Sequence, residues 1–129
     1  MAFFVGQKPD DTNRNGYPDL ISTTVMLVSS PHPTPIRQDG AFVFEMYPPG
    51  RYGSRDAKPI VSWRLEGEAV RRAEAIALAG PCYQFQLSLL AVGSDMLELD
   101  RGDLICRFEP ADGSPPVVSD GVRTIQLGR

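Results

Sequence analysis

The chain has 129 residues, a length that suits one domain able to bury a core without metals or disulfides. Its net charge of −3, without a basic cluster, disfavours a nucleic-acid partner. No run of about 18 apolar residues occurs, so no membrane-spanning helix is predicted, and the 12 Gly and 12 Pro favour short strands and turns.

The first element is the apolar segment Phe3-Phe4-Val5, which is too short and too poor in basic residues for a secretory signal. Two adjacent phenylalanines are unfavourable in water, so other groups should cover them. They can add an edge strand to the chain's own sheet, or they can pair with the open edge of a neighbouring copy. Phe3, Phe4 and Val5 are therefore the candidate residues for self-association.

Residues 10–19 form an oxygen-rich loop with Gly16 at its sixth position, counted from Asp11. Calcium takes six to eight oxygen ligands, and a glycine allows the sharp reversal that such a loop needs. The candidate ligands are the side chains of Asp11, Asn13, Asn15 and Asp19 and the carbonyl of Tyr17. The alternative is that these residues build only an Asx-type turn before a strand.

The loop resembles the DxDxDGxxD calcium loops of thrombospondin type 3 repeats, dockerins and FG-GAP repeats. In the FG-GAP type the trailing Asp-Leu-Ile leads into a strand, as Leu20 and Ile21 are expected to do here. The sequence departs from the pattern at Asn13 and Asn15, which replace aspartates, and Ser22 stands where an EF-hand carries glutamate. The resemblance therefore implies a weak calcium site.

Strand signals recur at short intervals after this loop. Strands are predicted at 20–28, 41–46, 60–65, 82–90, 104–109 and 122–127, and Leu97 and Leu99 are expected to return to the core. The proline-rich stretch 31–35 is predicted to be an extended connection, and 47–59 a loop. Residues 66–78 are predicted to form a short helix, because Val70, Ala73, Ile76 and Ala77 lie at helical spacing.

Alternation along the strands predicts which side chains form the core. Trp63, Phe85, Leu87 and Phe108 should be buried together. Cys106 falls on the inward set of its strand, whereas Cys82 falls on the opposite set of its own. The two sulfurs should face opposite ways, which disfavours a disulfide. The sequence thus predicts an all-β fold, a single antiparallel Ig-like β-sandwich of six or seven strands with one short crossover helix.

Three further signals are interpreted as ordinary surface features. His32 is flanked by prolines and is expected to be an exposed linker residue. The tripeptide at 101–103 matches an integrin-binding motif, but three residues coincide often by chance, and a turn before the next strand accounts for them. Glu98, Asp100 and Asp103 are interpreted as a solvated acidic loop.

The order of features along the chain is similar to that of an uncharacterised β-sandwich domain of secreted planctomycete proteins. The matching pieces are residues 11–19, Trp63-Arg64-Leu65 and Gly80-Pro81-Cys82-Tyr83. This resemblance implies an exported, secreted or cell-surface bacterial protein and carries no catalytic residues with it. We therefore expect a non-enzymatic, calcium-stabilised binding or adhesion module for a protein or glycan. The alternative is a structural subunit that self-assembles through its strand edges.

Overall fold

The fold is known from a computed structural model, which describes residues 2–5, 9, 11–12, 14, 19–29, 32–78, 80–91, 101–119 and 121–127. Across these residues one helix and ten strands are formed. They are β1 (Ala2–Val5), β2 (Leu20–Ser29), β3 (His32–Ile36), β4 (Gly40–Tyr47), β5 (Val61–Leu65), α1 (Glu68–Ala73), β6 (Glu74–Ala77), β7 (Gly80–Ser88), β8 (Arg101–Pro110), β9 (Val117–Val118) and β10 (Arg123–Gln126).

The strands form two antiparallel sheets. The first has the order β1-β2-β7-β6, and β3 also pairs with β2; the second has the order β10-β8-β4-β5, and β9 also pairs with β8. The predicted all-β sandwich with one short helix is confirmed. The strand count exceeds the predicted six or seven because β3, β6 and β9 are short segments of five, four and two residues.

The core lies between the sheets and follows the predicted alternation. Phe42 on β4 is fully buried, and its ring centroid lies 4.8 Å from that of Tyr83, 5.1 Å from that of Phe85 and 4.9 Å from that of Phe108. Such distances are typical of favourable aromatic pairs. Trp63, Phe85, Leu87 and Phe108 belong to one buried cluster, which confirms that prediction.

The crossover from the second sheet to the first differs from the predicted helix at 66–78. The helix covers only Glu68–Ala73, and Glu74 ends it with an extended backbone (φ −60°, ψ 131°). Residues 74–77 then pair with β7 as a strand. Val70 and Ala73 are buried as predicted, whereas Ile76 is 83% exposed. The pairing with β7 outweighs the helical spacing and alanine content of this segment.

Two other segments predicted as irregular are strands. The stretch 32–36 pairs with β2, with a register shift between Val28 and Ser29, so it is more than an extended connection. Proline is tolerated on such short strands at the margin of a sheet. Residues 101–103 open β8 rather than form a turn. Gly102 faces Met46 so closely that an added Cβ would lie 2.5 Å from its sulfur.

Asp103 is buried within β8 and is therefore not part of a solvated acidic loop. Its carboxylate accepts hydrogen bonds from the Gly50 backbone N–H at 2.9 Å and from the Thr124 hydroxyl at 3.2 Å. These bonds tie the loop after β4 and the strand β10 to the same carboxylate. Glu98 and Asp100, with Leu97 and Leu99, lie outside the described residues.

Both cysteines are free and fully buried, so Cys82 is covered although the alternation assigned it to the outward set of its strand. Cys106 lies in the core opposite Phe44, and burial raises the pKa of its thiol to about 12. Cys82 pairs with Ala75 at the β6–β7 end of the first sheet. The Cys106 thiol is therefore poorly placed to react, because the reactive species is the thiolate.

Candidate functional site

Of the predicted calcium ligands, only Asp11 and Asp19 lie among the described residues. Asp19 is 2% exposed, and its carboxylate accepts hydrogen bonds from the Thr12 backbone N–H (2.5 Å) and from the Thr12 hydroxyl. Its carbonyl accepts from the Leu89 N–H at 2.8 Å, which joins the end of the loop to the end of β7. Asp11 is partly exposed. These bonds link the two ends of the loop across seven residues.

The same residues also have the donor type that calcium prefers. A buried carboxylate needs hydrogen bonds or a counter-charge, and each Asp19 oxygen has a lone pair beyond the one that Thr12 uses. Asn13, Asn15 and Tyr17 lie outside the described residues. In the described part of the chain no group of three or more His, Cys, Asp and Glu side chains is placed so that it could hold a metal ion. Calcium binding therefore stays a prediction.

The predicted self-association segment forms the edge strand β1, which pairs with β2 of the same chain. Phe3 is 1% exposed and packs in the core, where its ring centroid lies 5.9 Å from that of Phe44. Val5 is partly buried against the same core. Phe4 points away from it and is 54% exposed. The chain thus covers one phenylalanine itself and leaves the other at an open sheet edge.

The largest cleft among the described residues lies where one end of the sandwich meets helix α1, and its volume is about 490 Å³. It is lined by Gln38, Asp39, Gly40, Ala41, Arg64, Glu66, Gly67, Val70, Arg71, Glu74, Tyr83, Glu109, Pro110 and Ala111. We call it the end cleft. Gly40 lets β4 and β8 approach closely here, because a Cβ at this position would lie 2.7 Å from the Phe108 ring.

One arginine of the end cleft is held by two carboxylates. The Arg64 guanidinium contacts Glu109 at 2.7 Å and Glu66 at 3.2 Å. Glu109 also accepts from Arg107 at 3.2 Å, and Arg107 in turn contacts Glu45 at 2.8 Å. Hydrogen bonds from Arg64 and Arg107 lower the pKa of the Glu109 carboxyl. Each of these three carboxylates therefore has an arginine partner.

Two other carboxylates of the end cleft are not compensated in this way. Within the described residues, the side chains of Asp39 and Glu74 have no hydrogen-bond or ion-pair partner. Arg71 lines the same cleft, but its guanidinium contacts Glu68 at 3.3 Å. Four carboxylates and two guanidiniums thus line the cleft, and its uncompensated charge is negative.

The floor of the end cleft is apolar and aromatic. Val70 and Tyr83 are buried there, and the Tyr83 hydroxyl oxygen lies 3.3 Å from the Gln38 backbone nitrogen, which donates to it. The Arg37 guanidinium lies 5.6 Å from the centre of the Tyr83 ring and donates to the carbonyls of Ala75 and Cys82. Arg37 therefore fixes both β6 and the tyrosine at one side of the cleft.

Strand β6 borders the end cleft and is the edge of the first sheet. Among the described strands it pairs only with β7. Glu74 and Ile76 lie opposite Tyr83 and Pro81, so both side chains are on the face of the sheet that includes Tyr83. Ile76 is 83% exposed and Leu78 is fully exposed. An apolar strip and an open strand edge therefore adjoin the negatively charged cleft.

Comparison of the chain with protein-family models, with curated proteins and with solved structures gives no match. Helix α1 has six residues, and no helix of the described residues is long and apolar enough to cross a membrane.

The residues of the end cleft were not predicted from the sequence. Five segments supply them, and the segments that hold Gln38 and Glu109 are far apart along the chain. A single signal pointed toward the site: the segment at 66–78 combines charged residues with Ile76 and Leu78. The prediction of a helix there placed Ile76 on a buried face, which concealed its exposure.

Proposed function

We propose that the chain is a non-enzymatic recognition module whose end cleft binds a cationic group of a partner protein. The uncompensated carboxylates of Asp39 and Glu74 beside a buried aromatic floor carry this proposal. A lysine or arginine side chain matches such a cleft, because its charged end can contact the carboxylates while its methylene stem packs on apolar surface.

The chemistry of the lining supports binding rather than catalysis. The side chains that line the end cleft include no cysteine, serine, threonine, lysine or histidine. Its arginines are paired with carboxylates, and the pKa of Glu109 is lowered, whereas a general acid at neutral pH needs a raised one. Calcium at the loop of residues 10–19 would stabilise the module, and the resemblance to secreted bacterial sandwich domains implies an exported location.

The proposal is tested by NMR titration of the ¹⁵N-labelled protein with N-acetyl-lysine methylamide. The amides of Gly40, Gly67 and Ala111 should shift, because they line the cleft. The double variant Asp39→Asn, Glu74→Gln should weaken binding by about tenfold or more, since charged hydrogen bonds contribute about 1.5–3 kcal/mol.

Two controls make the titration specific. N-acetyl-glutamate methylamide should leave the cleft amides unchanged. Asp56→Asn changes an exposed carboxylate of the 47–59 loop, outside the end cleft, and should preserve lysine binding. Equal affinity of the wild type and the double variant for the lysine probe would contradict the proposal.

The second candidate function is self-assembly through strand edges, and the topology of the first sheet favours it. The path β1-β2-β7-β6 has four antiparallel strands with open strands at both ends. A copy shifted along the sheet would therefore place its β1 antiparallel to β6 of its neighbour, and such head-to-tail contacts propagate. Light scattering at rising concentration tests this, and a wild-type protein that stays monomeric at high concentration would exclude it.

A further inference from the structure

Strand β6 is a four-residue edge strand with one charged residue, Glu74. An exposed edge strand presents unpaired backbone N–H and C=O groups, and charges, prolines or bulges normally block its pairing with other chains. Residues 75–78 contain neither a proline nor a charged residue. The register of β6 with β7 continues without a bulge from Glu74 to Ala77. Beyond Glu74, no described residue of β6 therefore blocks the pairing of another strand with this edge.

The side chains of this edge define what that strand should carry. Alternate residues of a strand share a face, so Glu74 and Ile76 project on the cleft side. Leu78 is fully exposed in the turn that follows and adds apolar surface at that end of the strand. In an antiparallel partner, successive side chains would meet Leu78, then Ile76, then Glu74. Complementary side chains would be apolar, apolar and basic, with one residue between each.

We propose that β6 docks an extended segment of a partner protein with the pattern apolar-x-apolar-x-basic. The segment adds as a strand antiparallel to β6, and its basic side chain enters the end cleft beside Glu74 and Asp39. Backbone hydrogen bonds provide affinity in this mode of recognition, and the alternate side chains provide specificity. This inference rests on the proposed function, because it names the partner segment that brings the cationic group to the cleft.

The charges of the neighbouring helix agree with this assignment. Arg71 and Arg72 both contact Glu68, at 3.3 Å and 3.9 Å, and this pairing partly offsets their repulsion of a basic residue. The Glu74 carboxylate has no partner among the described residues. A partner with a glutamate at the basic position would meet Glu74 and Asp39 without compensation, so the site should discriminate by charge.

The experiment uses fluorescence anisotropy with a labelled, end-blocked peptide of sequence Thr-Val-Thr-Val-Thr-Lys-Thr. We expect saturable binding, weakened about tenfold by Glu74→Lys. The same variant should bind the peptide with glutamate in place of lysine more tightly than the wild type does. Ile76→Thr should also weaken binding, whereas Phe4→Ser, which changes another exposed apolar residue at the opposite edge of the sheet, should not alter it. Circular dichroism confirms that each variant is folded.

A second peptide distinguishes strand addition to β6 from binding of the lysine side chain in the end cleft. It is N-methylated at alternate residues, so that it cannot donate backbone hydrogen bonds to a strand. Loss of its binding supports strand addition. Equal binding of both peptides overturns strand addition but leaves a cleft that recognises the lysine alone. Absence of saturable binding below roughly 1 mM overturns the docking edge, whatever the lysine probe shows in the NMR titration. Self-association that Ile76→Lys abolishes would also overturn it, because a second copy would then occupy β6.

Discussion

Trp63 connects the two sheets, and its truncation is expected to be among the most damaging single changes. The side chain is 7% exposed on β5 of the second sheet, opposite Phe44. Its Nε1–H donates to the Ser88 carbonyl on β7 of the first sheet at 3.0 Å. The residue therefore combines a large buried area with a hydrogen bond between the layers.

The magnitudes of the two contributions can be separated by two substitutions. Trp63→Ala should lower the free energy of unfolding by about 3–5 kcal/mol, because it leaves a large cavity. Trp63→Phe keeps most of the buried area but leaves the Ser88 carbonyl without this donor, which should cost about 1–3 kcal/mol. With a urea dependence of about 1.5 kcal/mol per M, the alanine variant should unfold at about 2–3 M less urea than the wild type.

Urea unfolding followed by far-ultraviolet circular dichroism measures both losses without using tryptophan emission. Tyr52→Ala is the control: Tyr52 is 40% exposed in the loop after β4 and its ring centroid lies 5.2 Å from that of Tyr47, so its loss should cost no more than about 1.5 kcal/mol. Wild-type emission should be blue-shifted and poorly quenched. A cost below about 1 kcal/mol for Trp63→Ala would refute the assignment of Trp63 as a link between the layers.

Three other predictions concern the calcium loop, the buried thiol and the N-terminal strand. With a dissociation constant of about 1 mM, calcium at about 10 mM should stabilise the wild type by about 1.4 kcal/mol. The measurement is the melting temperature in calcium compared with that in EDTA. The double change Asp11→Asn, Asp19→Asn should abolish the difference. Burial raises the pKa of Cys106 to about 12, so the native state keeps a proton that the unfolded state loses above about pH 9. The free energy of unfolding should therefore fall by up to about 1.4 kcal/mol per pH unit between pH 9 and pH 12. Urea unfolding at rising pH measures this fall, and the Cys106→Ala variant should lack it. Phe3→Ala should cost about 3–5 kcal/mol in urea unfolding, because Phe3 is buried.

Each of these predictions has its own control. Thr12→Val removes the hydroxyl that donates to Asp19 but no predicted ligand, so it should lower the melting temperature and keep the calcium effect. An equal melting temperature in calcium and EDTA would argue against a stabilising site. Phe4→Ala should be nearly neutral for stability. Deletion of residues 1–5 should leave the mass in light scattering unchanged unless β1 mediates assembly.

The alternation of apolar residues was sufficient to predict the sandwich core. The inward positions of the strands include Phe42, Phe44, Phe85 and Phe108. A one-residue shift in strand register would turn all of these side chains outward, so the alternation determines which face of each strand is buried. Such long strands are determined by their own residues. The prediction needed no knowledge of which strands pair with which.

The errors lie in short segments whose structure depends on a distant partner. Residues 74–77 have helical spacing but become a strand on β7, where the Arg37 guanidinium also binds the Ala75 carbonyl. The glycine at position 102 suggests a turn in the sequence, but in the structure it lies within β8, where a Cβ would clash with Met46. The end cleft could not be predicted for the same reason, because strand pairing brings its lining together.

The central pairings of both sheets have a consequence for the synthesis of this protein. Thr23 bonds to the Phe85 carbonyl, and Glu45 pairs with Arg107, and each contact spans 62 residues of chain. Folds dominated by such distant contacts form slowly, in milliseconds to seconds, because a large loop must close at an entropic cost before strand pairing can stabilise the chain. During translation, β2 and β4 therefore leave the ribosome well before β7 and β8 exist. The nascent chain exposes apolar strands in that interval, when chaperone binding would protect it most.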